Sequence, residues 1–155
     1  MLFRSGSSRA AEALPRLDPA NAQSLTRPAI QLWRADAFIH LGRLAEAEAL
    51  ASEALETGRR RGEATYEAWG LFLLAEIAVR GTSGDSDAER FFAGALAIAR
   101  KRGYRPMEAL ARLGVGRVLA RAGRDEARTE IEAARRLLAE LGMTPWLETA
   151  DPSAR

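Results

Sequence analysis

Cysteine is missing altogether from the 155 residues, histidine occurs once, at His40, and lysine once, at Lys101. Without cysteine there are no disulfides, thiolate metal sites, thiol nucleophiles or thiol-based redox switching. A single imidazole has no second histidine and no thiolate to share an ion with, so a histidine-built metal centre or catalytic set is not expected. On its helix His40 is at most a surface contact or a packed neutral ring. Long hydrophobic runs are also absent. Uncharged apolar stretches such as Ala68 to Ala75 are far too short to span a bilayer, and Met1 to Arg9 holds no apolar run that could serve as the core of a signal peptide. Blocks of one charge are missing too: 23 basic and 21 acidic residues leave a formal charge of +2. Acids and arginines are interspersed, which describes a mixed surface and argues against membrane or nucleic acid as partner. A cytoplasmic protein is the expectation.

What is present is a recurring skeleton. Ala47, Ala54 and Gly62 are followed by Ala88, Ala95 and Gly103, and then by Ala127, Ala134 and Gly142. In each copy seven residues separate the alanines, two helical turns, and the glycine stops the helix eight residues later. A unit recurring every 39 to 41 residues predicts a helical repeat array, whose binding surface is shared by neighbouring units. The 47% apolar content suits one ordinary globular domain.

Helical periodicity places the elements. Pro28 suits a first helical turn, and Ile30, Leu32, Trp33, Ala37, Phe38 and Leu41 then recur at helical spacing up to Gly42. A second helix carries Leu44, Ala47, Leu50, Ala51, Ala54 and Leu55 on one face and Glu46, Glu48, Glu53 and Glu56 on the other, closing on Arg59, Arg60 and Arg61. Repeat 2 runs from Ala64 to Val79, turns, and resumes at Asp87, with Asp85, Ser86 or Asp87 as the cap. Repeat 3 starts at Pro106, turns at Gly123 and returns to Gly142. Thr144-Pro145 predicts a short closing helix over about 144–150. The repeats thus cover about 28–62, 63–103 and 105–142 within a domain of residues 25–155. Residues 1–24, broken by Pro15 and Pro19, read as a flexible leader or the remnant of a preceding repeat.

Motifs that mimic chemistry have simpler readings. Gly114-Val-Gly116 imitates the start of a dinucleotide fingerprint, but it lies inside a helix, and Leu119 stands where a third glycine belongs; close helix packing is expected. The Gly81–Asp87 turn lacks the Lys-Ser/Thr of a phosphate loop and the closing Glu of a calcium loop. The arginine run at 59–61 reads as a solvated helix end. Trp33, Trp69, Phe72, Phe91 and Phe92 fall at helical spacing and read mostly as interhelical core. No catalytic residue, cofactor site or metal site is expected, and the chain is not expected to be an enzyme.

Gly42-Arg43-Leu44-Ala45-Glu46 with Ala47 and Ala54, together with Leu113-Gly114, resembles the interhelix glycine, helix-B alanines and helix-A Leu-Gly of tetratricopeptide repeats. Arg34-Ala35 and Leu74-Ala75 stand where that Leu-Gly would be, and the period exceeds the 34 residues of that family. The resemblance implies an all-α fold, a right-handed α-α superhelix of about three such hairpins plus a C-terminal capping helix. Residues 71–150, from Leu73-Leu74-Ala75-Glu76-Ile77 to Gly142-Met143-Thr144-Pro145-Trp146-Leu147-Glu148, resemble the C-terminal repeats of bacterial signalling proteins. Those repeats are joined to class III adenylate/guanylate cyclase or LuxR-type DNA-binding domains and an AAA-like ATPase. The implied role is a non-catalytic protein–protein interaction or regulatory sensor scaffold, its partner a protein or peptide such as the cyclase or ATPase domains of the same system. The alternatives are a nucleic-acid-binding helical array and a small-molecule-binding regulatory domain. In tetratricopeptide arrays helix A lines the concave face; carried over, this places Asp36, His40, Trp69, Glu76, Arg80 and Glu108 in the binding groove.

Overall fold

The repeated alanines mark where helices touch. Ala47, Ala54, Ala88, Ala95 and Ala134 have no exposed surface and Ala127 is buried, because antiparallel helices approach closely only where no larger side chain holds them apart. The computed structural model describes residues 27–81 and 84–149, and among them it contains seven helices and no strand. They are α1 (Arg27–His40), α2 (Leu44–Arg61), α3 (Ala64–Arg80), α4 (Asp85–Arg102), α5 (Arg105–Arg121), α6 (Glu126–Glu140) and the short α7 (Thr144–Thr149). Each helix packs on the next in the chain, and α1–α3 and α3–α5 also meet. The fold is therefore all-α, three antiparallel pairs stacked in sequence with α7 laid against α6. The expected leader at 1–24 and residue 150 of the expected closing helix lie outside the described residues.

Position in the stack explains the hydrophobic patterns. Helix α2 buries Ala47, Ala51, Ala54, Leu55 and Gly58, one stripe, and leaves Glu46, Glu48, Glu53 and Glu56 exposed. Helix α3 touches α1, α2, α4 and α5, so it buries residues all round its circumference, including the unbroken run from Gly70 to Ala75. This run lies within the apolar stretch Ala68 to Ala75. Among the described residues no helix is long and apolar enough to cross a membrane.

One turn design recurs. Gly62 and Gly103 are left-handed, at φ 67° and 68°, and the amides that follow, of Glu63 and Tyr104, donate to the carbonyls of Gly58 and Ala99 at 2.9 and 2.8 Å. Each glycine thereby ends its helix and satisfies an orphan carbonyl. The α3–α4 connection departs from this design. Gly81 is extended, Gly84 takes φ 88° as the N-cap, and α4 already begins at Asp85. Asp85, Ser86 and Asp87 therefore sit in the first turn rather than at the cap, where negative charge still favours the helix N-terminus. Asp85 meets Arg121 at 2.6 Å and Asp87 meets Arg90 at 2.9 Å.

Gly114 and Gly116 lie within α5, as the packing reading expects: Gly114 faces the Phe92 ring of α4 and Gly116 faces Ile131 and the Ala127 carbonyl of α6. Of the aromatics, Phe72 and Phe92 are core, with ring centroids 5.6 Å apart. Trp33, one of the aromatics read mostly as interhelical core, is instead 40% exposed, and Leu41, which shares the helical spacing, is 68% exposed. Leu41 belongs to the turn after α1, beyond the helical face that meets α2. Trp33 lies on the side of α1 that turns toward α3, which also carries Asp36.

Candidate functional site

Three helices that run in the same direction, α1, α3 and α5, bring the principal candidate residues together. On α1, Asp36 and His40 stand one turn apart, and His40 Nε2 lies 3.7 Å from Asp36 Oδ1. On α3, Glu76 and Arg80 have the same spacing and form an ion pair, and Arg80 Nη1 also donates to the Glu76 carbonyl at 3.0 Å. The two pairs are near enough to influence each other. Burial pushes the Asp36 carboxyl above its ordinary pKa; His40 opposes the rise, Glu76 adds to it and Arg80 opposes it. From α5, half-buried Arg117 joins the group. Burial lowers its guanidinium pKa, Glu76 holds it up and Arg80 lowers it further. One face thus carries a compact charged cluster drawn from all three repeats.

The raised Asp36 pKa has a consequence for stability. Between the ordinary carboxyl value and the raised one, the unfolded chain has already released a proton that the folded chain keeps, so stability falls as pH rises through that window. At neutral pH the ionised, partly desolvated carboxylate is a net cost. Asp36→Asn should therefore melt at a higher temperature than the parent near pH 7, and the difference should vanish near pH 3, where both forms carry no charge there. Thermal melts followed by circular dichroism at the two pH values measure this, and an equal gain at both would assign the effect to packing instead.

Toward the N-terminal ends of the same helices the face becomes apolar. A cavity of about 120 Å3 opens between α1 and α3, lined by Ala29, Leu32, Trp33 and Asp36 on one side and Thr65, Tyr66, Trp69 and Leu73 on the other. Trp69 packs edge-on against Phe72, ring centroids 5.7 Å apart, which anchors the indole to the core on one side while its other side forms cavity wall. Thr65 and Tyr104 are joined by a hydroxyl hydrogen bond of 2.9 Å, which links this end of α3 to the start of α5. Among the described residues no group of three His, Cys, Asp or Glu side chains could hold a metal ion.

Glu108 is placed elsewhere. Its carboxylate receives Arg100 from α4 at 3.5 Å and Arg112 at 3.2 Å, and Arg112 continues to Glu130 of α6 at 2.8 Å. Glu108 therefore belongs to a partly buried network among α4, α5 and α6, apart from Asp36, His40, Trp69, Glu76 and Arg80. The physical reason is a matter of register. Forty-one residues separate Gly62 from Gly103, so α5 follows α3 by 41, whereas the helix-B alanines Ala88 and Ala127 are 39 apart. The two missing residues fall after helix A: eight positions lead from Arg80 to Ala88, six from Arg121 to Ala127. Counting back from the alanines pairs Trp69 with Glu108; counting forward from the glycines pairs it with Leu110, and pairs Glu76 with Arg117. Two residues are about 200° of helix rotation, enough to carry Glu108 to the opposite side. The glycine-to-glycine count was thus the signal that could have found Arg117. Trp33 and Tyr66, the other residues missed, carried no distinguishing spacing.

No protein-family model matches the chain, and no curated protein or solved structure is recognisably similar to it.

Proposed function

We propose that this chain is a non-catalytic, cytoplasmic binding scaffold, related in design to tetratricopeptide repeats, that receives a protein or peptide along the face shared by α1, α3 and α5. The observation that carries the reading is the union on that face of an aromatic cavity with a charged cluster to which each repeat contributes. Aromatic walls supply contact area, and fixed charges of both signs orient a bound segment, which are the two requirements of peptide recognition. The carboxylates of α2 lie exposed on the outer side of the first pair and are free of that duty. The resemblance of residues 71–150 to the tails of cyclase and LuxR-type regulators supports a sensor role, with the catalytic or DNA-binding domains of the same system as partners.

Selection of a displayed random-peptide library on the intact chain tests the reading. Enriched peptides should lose about tenfold or more in affinity when Glu76 and Arg80 are both changed to alanine, with the helical circular-dichroism signal preserved. Changing Glu48 and Glu53 to alanine should leave affinity unaltered. Binding lost only with the second pair would move the site to the α2 side, and a selection that enriches nothing would end the peptide reading.

A further inference from the structure

The cavity between α1 and α3 combines features that a peptide groove does not by itself require. Among the described residues, Asp36 is the only charged one of the eight that line it, and three of the others are Trp33, Tyr66 and Trp69. The carboxylate side chain is 24% exposed, and among the described residues its ion-pair partner is His40, itself largely in solvent. Seating a carboxylate in an aromatic wall is costly unless a positive charge comes to it. Aromatic faces attract the same kind of charge, most strongly when water is excluded.

We infer that this cavity is a binding site for a small organic cation of the quaternary ammonium class, its positive head held among Trp33, Tyr66 and Trp69 and its charge answered by Asp36. The choice among cations follows from the hydrogen-bonding inventory. A primary ammonium or a guanidinium brings three to five N–H donors that each need an acceptor. Beyond the Asp36 carboxylate the lining side chains offer the Thr65 hydroxyl, already engaged with Tyr104, and the Tyr66 hydroxyl. N–H donors buried without acceptors cost binding energy. A quaternary head has no N–H, presents methyl groups to the rings and still delivers its charge. Size agrees as well: the roughly 120 Å3 is about four times the liquid volume of a water molecule, room for a head with a few methyl groups rather than a long chain. The inference rests on the cavity alone and stands or falls separately from peptide binding on the wider face.

Tryptophan fluorescence of the intact chain gives a direct readout, since two of its three tryptophans line the cavity. Choline chloride should produce a saturable change with half-saturation in the millimolar range, while sodium chloride at equal ionic strength should not. The neutral carbon isostere 3,3-dimethylbutan-1-ol has the same shape without the charge and should bind about tenfold more weakly or worse. Asp36→Asn should weaken choline about tenfold with unchanged circular dichroism, Trp33→Ala should abolish the response, and Trp146→Phe should leave it intact because that ring lies on α7. Absence of saturation up to about 100 mM choline would overturn the inference, as would an isostere that binds equally well, or a response that survives both cavity substitutions. A trimethyl-lysine peptide that binds at least tenfold tighter than choline, where the same unmodified peptide does not, would overturn the small-ligand assignment and give the cavity to a modified protein tail.

Discussion

Phe92→Ala should lower the stability of the chain by about 3–5 kcal/mol, the usual cost of truncating a fully buried phenylalanine. Phe92 is 1% exposed. Its ring meets Phe72 of α3 at an interplanar angle of 64° and covers Gly114 of α5, so it ties α4 to the helices on either side. A methyl group built on Gly114 would overlap that ring. Gly114→Ala should therefore destabilise the parent through overpacking, typically about 1–3 kcal/mol, although alanine gains about 1 kcal/mol over glycine in helix propensity. With Phe92 already truncated, the same change should become neutral or favourable, because the new methyl group enters the space the ring has left. A double-mutant cycle by urea denaturation should give a coupling energy of about 1–3 kcal/mol. Strict additivity would mean that the ring and the glycine do not share that contact.

Gly70→Ala sets helix propensity directly against packing. On propensity alone it should stabilise α3 by about 1 kcal/mol. A β-carbon at that position would lie 2.8 Å from Leu55 Cβ, 3.0 Å from its Cα and 3.2 Å from its backbone nitrogen. Relief requires α2 and α3 to separate, since main-chain atoms cannot rotate away, and a net loss of about 1–2 kcal/mol is expected. Gly94→Ala supplies the control. Its added carbon would meet only the terminal methyl groups of Leu71, at 3.2 and 3.8 Å, which can turn aside. In thermal melts Gly94→Ala should match or exceed the parent while Gly70→Ala falls below it, and the reverse order would show that propensity governs both sites.

The helix-B alanines were legible in the sequence because zero tolerance for bulk leaves one residue type at a fixed interval, and the glycines because a left-handed stop admits few others. Asp36, His40, Glu76 and Arg80 could be placed on one face only through the resemblance to tetratricopeptide repeats, in which helix A lines the concave side. Trp33 could not be told from a core residue, since an aromatic at helical spacing reads alike whether it meets a neighbouring helix or a cavity. Glu108 was misjudged and Arg117 overlooked for a different reason. Periodicity locates a deletion somewhere between two landmarks without saying on which side of a helix it falls, and for a helix two residues decide which face a side chain joins. Asp85, Ser86 and Asp87 show the same limit at shorter range: several capping residues in a row leave the starting turn ambiguous, and Gly84 resolved it.

Among the described residues every substantial interface joins helices that are neighbours along the chain or one pair apart. Such a contact map has a kinetic meaning: no pairing has to wait for distant segments to find one another, so loop-closure entropy opposes each step only weakly and folding on the microsecond-to-millisecond scale is the expectation. It also sets where the molecule opens. Helix α7 makes its main contact with α6, whereas α3 is enclosed by four helices, so amide protons of α7 should exchange through local fraying, and those of α3 only when the array comes apart around it.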